Sequence, residues 1–185
     1  MTANAPSSPR HGEPASAVPP GTEAMHRAKH PRAVVAGPYG HPFHPILVTI
    51  PIGCWVASFV FDIVSWFSDD PGAFTSGAKL LIAIGLVGAV LAAVFGLLDL
   101  SMIQGGTRAR ATALLHLTLN LVVVALFLGS LIGRFAVGSD VSVMGVVLSV
   151  VGLLVLGVSG WLGGKLAYRY GVRVADEGVQ SEGYA

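Results

Sequence analysis

Four uninterrupted apolar runs dominate this chain, and they leave few choices for its fold. They cover Ile46–Phe67, Leu80–Ile103, Ala113–Gly133 and Val141–Gly164, each 21 to 24 residues long. At about 1.5 Å rise per residue, a helix of that length exceeds the roughly 30 Å hydrocarbon core of a bilayer. Inside lipid the backbone polar groups must be satisfied within the segment, so each run is expected to be a helix. The connections Ser68–Lys79, Gln104–Thr112 and Arg134–Asp140 are short. Short links make successive helices antiparallel. The expected fold is all-α, an integral membrane four-helix up-down bundle spanning residues 39–174.

Composition agrees. Hydrophobic residues make up 53% of the 185 residues and charged residues 11%, with 24 glycines besides. Mean hydropathy is +0.71. A soluble domain carries about 25% charged residues, so an ordinary cytosolic enzyme is excluded. Net charge is +1, which gives no field to attract nucleic acid. The bilayer is the expected partner. Residues 1–38 are rich in Pro, Ala, Ser and Gly and carry almost no large apolar side chains. They are expected to form a disordered tail, and residues 175–185 a polar C-terminal tail. No cleavable signal peptide is visible, so the first helix is expected to direct its own insertion.

Nine Lys and Arg residues fall on one side: Arg10, Arg27, Lys29, Arg32, Arg108, Arg110, Lys165, Arg169 and Arg173. Only Lys79 and Arg134 fall on the other. The positive-inside rule then puts both termini in the cytoplasm of a plasma (inner) membrane, multi-pass. Small residues four apart, at Gly129/Gly133, Gly160/Gly164 and Gly85/Ala89/Ala93, are expected to bring helices close. Pro51 is expected to kink the first helix or free a carbonyl.

The first and third runs superpose on a shift of 72 residues. His44 falls on His116, Leu47 on Leu119, Ser58 on Ser130 and Asp62 on Arg134. The echo raises an architecture of two repeated helical hairpins, both entering from the same side. Its consequence is specific: His44 and His116 would lie at matched depth and face each other across the bundle.

Polar groups within spans are costly and point to function by default. Two imidazoles at one depth on two helices would serve as axial ligands to haem b. Arg108 and Arg110, at the same level, would pair with the propionates, and Asp99 would orient an imidazole. A variant is a metal ion held by His41, His44 and His116. The structural alternatives are a helix-capping His44, a bundle-packing His116 hydrogen-bonded with Asn120, arginines that serve topology, and an Asp99 paired with one of them. Asp62 and Arg134 sit at the far end and are expected to form a structural polar pair, with a proton relay as the alternative. Cys54 is the single cysteine, so there is no covalent haem attachment. No nucleophile has a base beside it, so no stand-alone enzyme is expected.

The stretch from Gly40-His41-Pro42-Phe43-His44-Pro45-Ile46-Leu47-Val48 into Ile50-Pro51-Ile52-Gly53 resembles the opening motif of a bacterial membrane family, domain of unknown function 2231. Phe61-Asp62, Gly96-Leu97-Leu98-Asp99, His116 and Gly160-Trp161-Leu162-Gly163-Gly164-Lys165-Leu166, with Tyr168 and Gly171-Val172, resemble its later blocks. The resemblance runs from about Gly40 to Val174 and covers all four runs. That family has no settled activity. Some members are joined to Rieske-type iron–sulfur domains, which implies a redox setting. One cysteine cannot supply such a cluster, so a separate membrane or iron–sulfur redox partner is implied here. Three readings follow: a haem- or metal-binding redox component resembling a b-type cytochrome, a non-catalytic membrane scaffold or assembly protein, and an ion or solute conductor using Asp62, Asn120 and Asp99. Four helices with so few interior polar groups make a poor pore.

Overall fold

The computed structural model describes residues 19–185. Helix α1 is Thr22–Lys29, α2 Phe43–Leu47, α3 Thr49–Ser65, α4 Pro71–Met102, α5 Arg108–Ala136, α6 Val143–Gly164 and α7 Glu177–Ser181. Four spans are long and apolar enough to cross a bilayer: Phe43–Ser65, Pro71–Met102, Arg108–Ala136 and Val143–Arg169. The protein is an all-α four-helix membrane bundle.

Helices α2 and α3 form one span broken at Val48. Pro51 has no N–H to give the Leu47 carbonyl, and the ladder resumes with the Ile52 N–H on Val48. Helix α4 begins nine residues before its apolar run. Pro71 fits the first turn, where its missing N–H costs nothing. Thr107 and Ser142 cap α5 and α6 by accepting from the Arg110 and Gly145 N–H groups. The last turn of the fourth span widens into a π-helix at Lys165–Arg169.

The bundle buries its polar side chains beside a small apolar core and turns large apolar ones outward. Ser58, Asp62, Ser130, Arg134, Ser149 and Ser159 are buried, while Leu80, Val87, Ile132, Leu154 and Trp161 point outward. Helix α3 packs along α4, and α5 along α6; the seam between these hairpins is thinner. Close approach within a hairpin comes from glycine. A Cβ on Gly85 would strike Trp55, and one on Gly152 would strike Phe127. Not every small residue serves this way: Gly160 faces open space.

Across the seam, α3 and α5 meet on the diagonal in layers. Trp55 and Phe127 stack at 4.2 Å with planes 6° apart. Asp62 and Arg134 form a two-pronged ion pair, with Nη2 donating to Oδ2 at 2.7 Å. Arg134 Nε also donates to Ser130 Oγ, and Nη2 to Ser149 Oγ. Ser130 hydrogen-bonds the Gly145 carbonyl and Ser149, so every arm of the pair is satisfied. Each of these diagonal partners is 72 residues from the other.

The expected disordered tail, residues 1–38, needs correction. Residues 1–18 lie outside the described residues, but Thr22–Lys29 is helical and Val34–Ala36 forms a 3-10 turn. Ala28 and Ala36 are buried. Too apolar-poor to fold alone, the segment is held by polar contacts from the other terminus. The Arg173 N–H donates to the Ala28 carbonyl, and Arg173 Nη2 donates to the carbonyls of Ala36 and Gly37 at 3.0 Å each. The C-terminal tail likewise contains α7, Glu177–Ser181.

Removing one half of a buried ion pair leaves a lone charge and costs about 3–5 kcal/mol, whereas apolar replacement of both partners is close to neutral. Asp62→Ala and Arg134→Ala are each expected to destabilise the bundle by about that amount. Asp62→Leu combined with Arg134→Met is expected to recover most of the loss. Thermal unfolding in lipid bicelles measures both.

Candidate functional site

His44 lies one residue into α2, immediately before Pro45, and His116 lies two turns into α5. The fold brings them together. Their ring centroids stand 6.4 Å apart with planes at 88°. Neither ring spends its Nδ1 on the other. His44 Nδ1 lies 2.8 Å from the Ala92 carbonyl on α4, and His116 Nδ1 lies 2.8 Å from the Ser159 carbonyl on α6. A carbonyl can only accept, so both Nδ1 atoms carry the proton. In the neutral rings both Nε2 atoms then present a lone pair.

The two halves of this arrangement repeat. Ala92 and Ser159 are 67 residues apart, as are Gly96 and Gly163, which face the imidazoles. A Cβ on Gly96 would come within 3.0 Å of His44 Cε1, and one on Gly163 within 3.3 Å of His116 Cε1. Each hairpin therefore supplies an imidazole, the carbonyl that fixes its tautomer, and a glycine opposite the ring.

The packed core is interrupted at this level. One buried cluster, Trp55, Ile82, Val123 and Phe127, lies deeper in the bundle; another, Ala28, Ile103, Ala113 and Leu166, lies toward the basic end. Between Ala113 and Val123 no residue of α5 is fully buried, and none is between Phe43 and Ile50. Asn120, one turn on from His116, donates from Nδ2 to His116 Nε2 at 3.1 Å and to the His116 carbonyl at 2.9 Å.

The other sequence candidates lie elsewhere. His41 is exposed, and His41, His44 and His116 do not bring their ligand atoms together; among the described residues the one such group of three is His26, His30 and Asp176. A bare ion at the imidazole pair would thus find no third protein ligand among these candidates. Arg108 is exposed, and Arg110 Nη1 is spent on the Leu100 and Ile103 carbonyls. Neither arginine pairs with Asp99, and Asp99 does not touch an imidazole. Its carboxylate Oδ1 lies 3.0 Å from Arg173 Nε, although that N–H is not aligned on it, and Arg173 Nη1 is buried without a partner. Sequence reasoning assigned Arg173 to topology alone. Its one local signal is the Gly171-Val172-Arg173 turn, where Arg173 takes a φ of 61°, rare for a residue with a side chain. Asp62, Asn120 and Asp99 are each tied into separate pairs, so no continuous polar path joins them. An apolar crevice beside α4, lined by Ile50, Ala83, Ile84, Val87, Gly88 and Leu91, carries no chemically active group.

Overfilling a packed interior costs about 1–3 kcal/mol. Gly96→Val and Gly163→Val are expected to destabilise the bundle by similar amounts in that range, because their surroundings are equivalent. Gly160→Val, with open space around it, is expected to leave the midpoint unchanged in the same thermal unfolding measurement.

A family model described as predicted membrane protein (DUF2231) matches residues 40–176. That stretch contains all four spans and both imidazoles. No curated protein and no solved structure matches the chain.

Proposed function

Starting from the fact that the chain belongs to the DUF2231 family of predicted membrane proteins, we propose that it is a haem-binding redox component of the b-type cytochrome kind, in which His44 and His116 would hold the iron. The facing imidazole pair carries this reading. At metal–nitrogen bonds of about 2 Å, two imidazoles that share one ion would have ring centres up to roughly 6 Å apart; here they stand 6.4 Å apart. Two protein ligands with no third nearby suit an iron that brings its own equatorial nitrogens better than a bare ion. The two glycines let each ring pack flat against the neighbouring helix of its own hairpin.

Iron porphyrin, when bound, supplies a one-electron couple. The protein's residues do the rest. The Ala92 and Ser159 carbonyls fix both rings in the Nδ1–H tautomer. To bind iron, His116 Nε2 would give up its hydrogen bond from Asn120, whose bond to the His116 carbonyl would remain. Arg173, whose Nη1 lacks a partner, would pair with a propionate in place of Arg108 and Arg110. It pairs with Asp99, about one turn of α4 beyond Gly96. The basic end, with Arg108, Arg110, Lys165 and Arg169, is assigned to the cytoplasm of the inner membrane. Electrons would be exchanged with a membrane or iron–sulfur partner.

The full chain, produced with haem supplied and purified in detergent, is expected to show a Soret band and a reduced α-band at one haem per chain. His44→Ala and His116→Ala should each remove that signature while circular dichroism retains the helices. A second reading, a non-catalytic scaffold, is favoured by the bond that Asn120 makes to His116 Nε2. It predicts a colourless folded chain in which His116→Ala lowers only stability. That outcome overturns the haem assignment.

A further inference from the structure

At the basic end, outside the stretch that defines the family, α1 presents two histidines on one face. His26 and His30 are four residues apart, so one turn of helix stacks them. Their Nε2 atoms lie 3.3 Å apart. The Asp176 carboxylate, just before α7, completes a group whose ligand atoms all lie within 4.8 Å of one another. We propose that His26, His30 and Asp176 form a site for a divalent transition metal of the zinc class.

The geometry fits that chemistry. Two nitrogens each about 2.0–2.1 Å from a tetrahedral ion are roughly 3.3–3.4 Å apart, which is the separation found. Imidazole and carboxylate suit a borderline ion such as zinc, and three protein ligands leave a fourth position for water. Supporting residues hold the ligands in place. Tyr39 stacks on His30 at 4.4 Å, with planes 11° apart. Its hydroxyl donates to Asp176 Oδ2 at 2.8 Å and accepts from the Asp176 N–H at 2.7 Å. Hydrogen bonds from Lys29 and Tyr39 hold the Asp176 carboxyl below its ordinary value.

Lys29 Nζ sits 2.9 Å from Asp176 Oδ1 and is the resident cation that an incoming ion must share the carboxylate with or displace. The metal would replace a loose contact between the two imidazoles and pin α1 to the C-terminal segment. His26 and His30 precede the family stretch at residues 40–176, and Asp176 is its last residue; the site stands apart from the imidazole pair in the bundle.

The test uses the full chain without a polyhistidine tag, stripped with chelator and titrated with zinc alone and with cobalt(II) alone. One ion per chain is expected, with the visible absorption of tetrahedral cobalt. His26→Ala and His30→Ala should each weaken binding roughly tenfold or more. Lys29→Met, which removes the competing cation, should tighten it several-fold, and His44→Ala should leave it unchanged. Helix α1 lies outside the four spans, so these variants keep the bundle; circular dichroism and the thermal midpoint check that. Absence of binding, or binding that survives the double His26→Ala/His30→Ala change, overturns the proposal.

Discussion

A carboxylate at 1% exposure within a membrane span can exist only if a cation meets it and the remaining lone pairs find donors. Lipid offers no water to complete the set. The Asp62–Arg134 pair with Ser130 and Ser149 meets that requirement, and it does so across the diagonal between hairpins. Helices within a hairpin are close because glycines let them be. The two hairpins are joined by fewer contacts, and apolar attraction does little there, since lipid tails are as apolar as Leu. Directional polar contact at this layer therefore fixes how the halves register. Once Asp62 faces Arg134, the 72-residue offset places Trp55 on Phe127 and His44 opposite His116.

The duplicated frame makes the differences between layers informative. In the charged layer the two halves carry opposite partners, which satisfy each other. In the aromatic layer two flat rings stack, and contact is enough. In the imidazole layer the halves carry the same residue, and the rings neither stack nor hydrogen-bond to each other. Each instead spends its one N–H on its own hairpin. Two identical acceptors do not complete each other, and Asn120 serves only one of them. A shared third partner satisfies both at once, which is the physical core of the haem reading. The glycines at 96 and 163 fit the same logic, since side chains there would press on the rings.

Much of this was legible in the sequence because membrane physics writes itself in long runs. The four spans, the up-down order and the break near Pro51 follow from length and chemistry alone. The 72-residue echo was readable because first helices align without gaps and carry rare residues, His and charge, among apolar ones. The matching 67-residue offset of α4 and α6 was not. It needs a five-residue gap, and what it conserves is backbone carbonyls and glycines, which leave little mark in a low-complexity apolar alignment. Asp99 was assigned by depth to an imidazole or to Arg108 or Arg110. Its partner is Arg173, which reaches it only because the chain turns back after α6 through a left-handed residue.

The same turn explains why a leading segment that cannot fold by itself is ordered. A residue with a side chain at φ 61° sits at a cost of order 1–3 kcal/mol. Arg173 is held there because its backbone N–H and guanidinium bind Ala28, Ala36 and Gly37, and the guanidinium also sits against Asp99. Helix α1, the Val34–Ala36 turn and the end of α4 thus share one anchor. Lys29 and Tyr39 fasten the same segment again at Asp176. The order of α1 is therefore tertiary in origin, written in a buried arginine about 140 residues away, and local composition could not reveal it. Through the Ala28 carbonyl, the helix that bears His26 and His30 is mechanically joined to the arginine that faces Asp99. Whatever stiffens α1 stiffens that anchor as well.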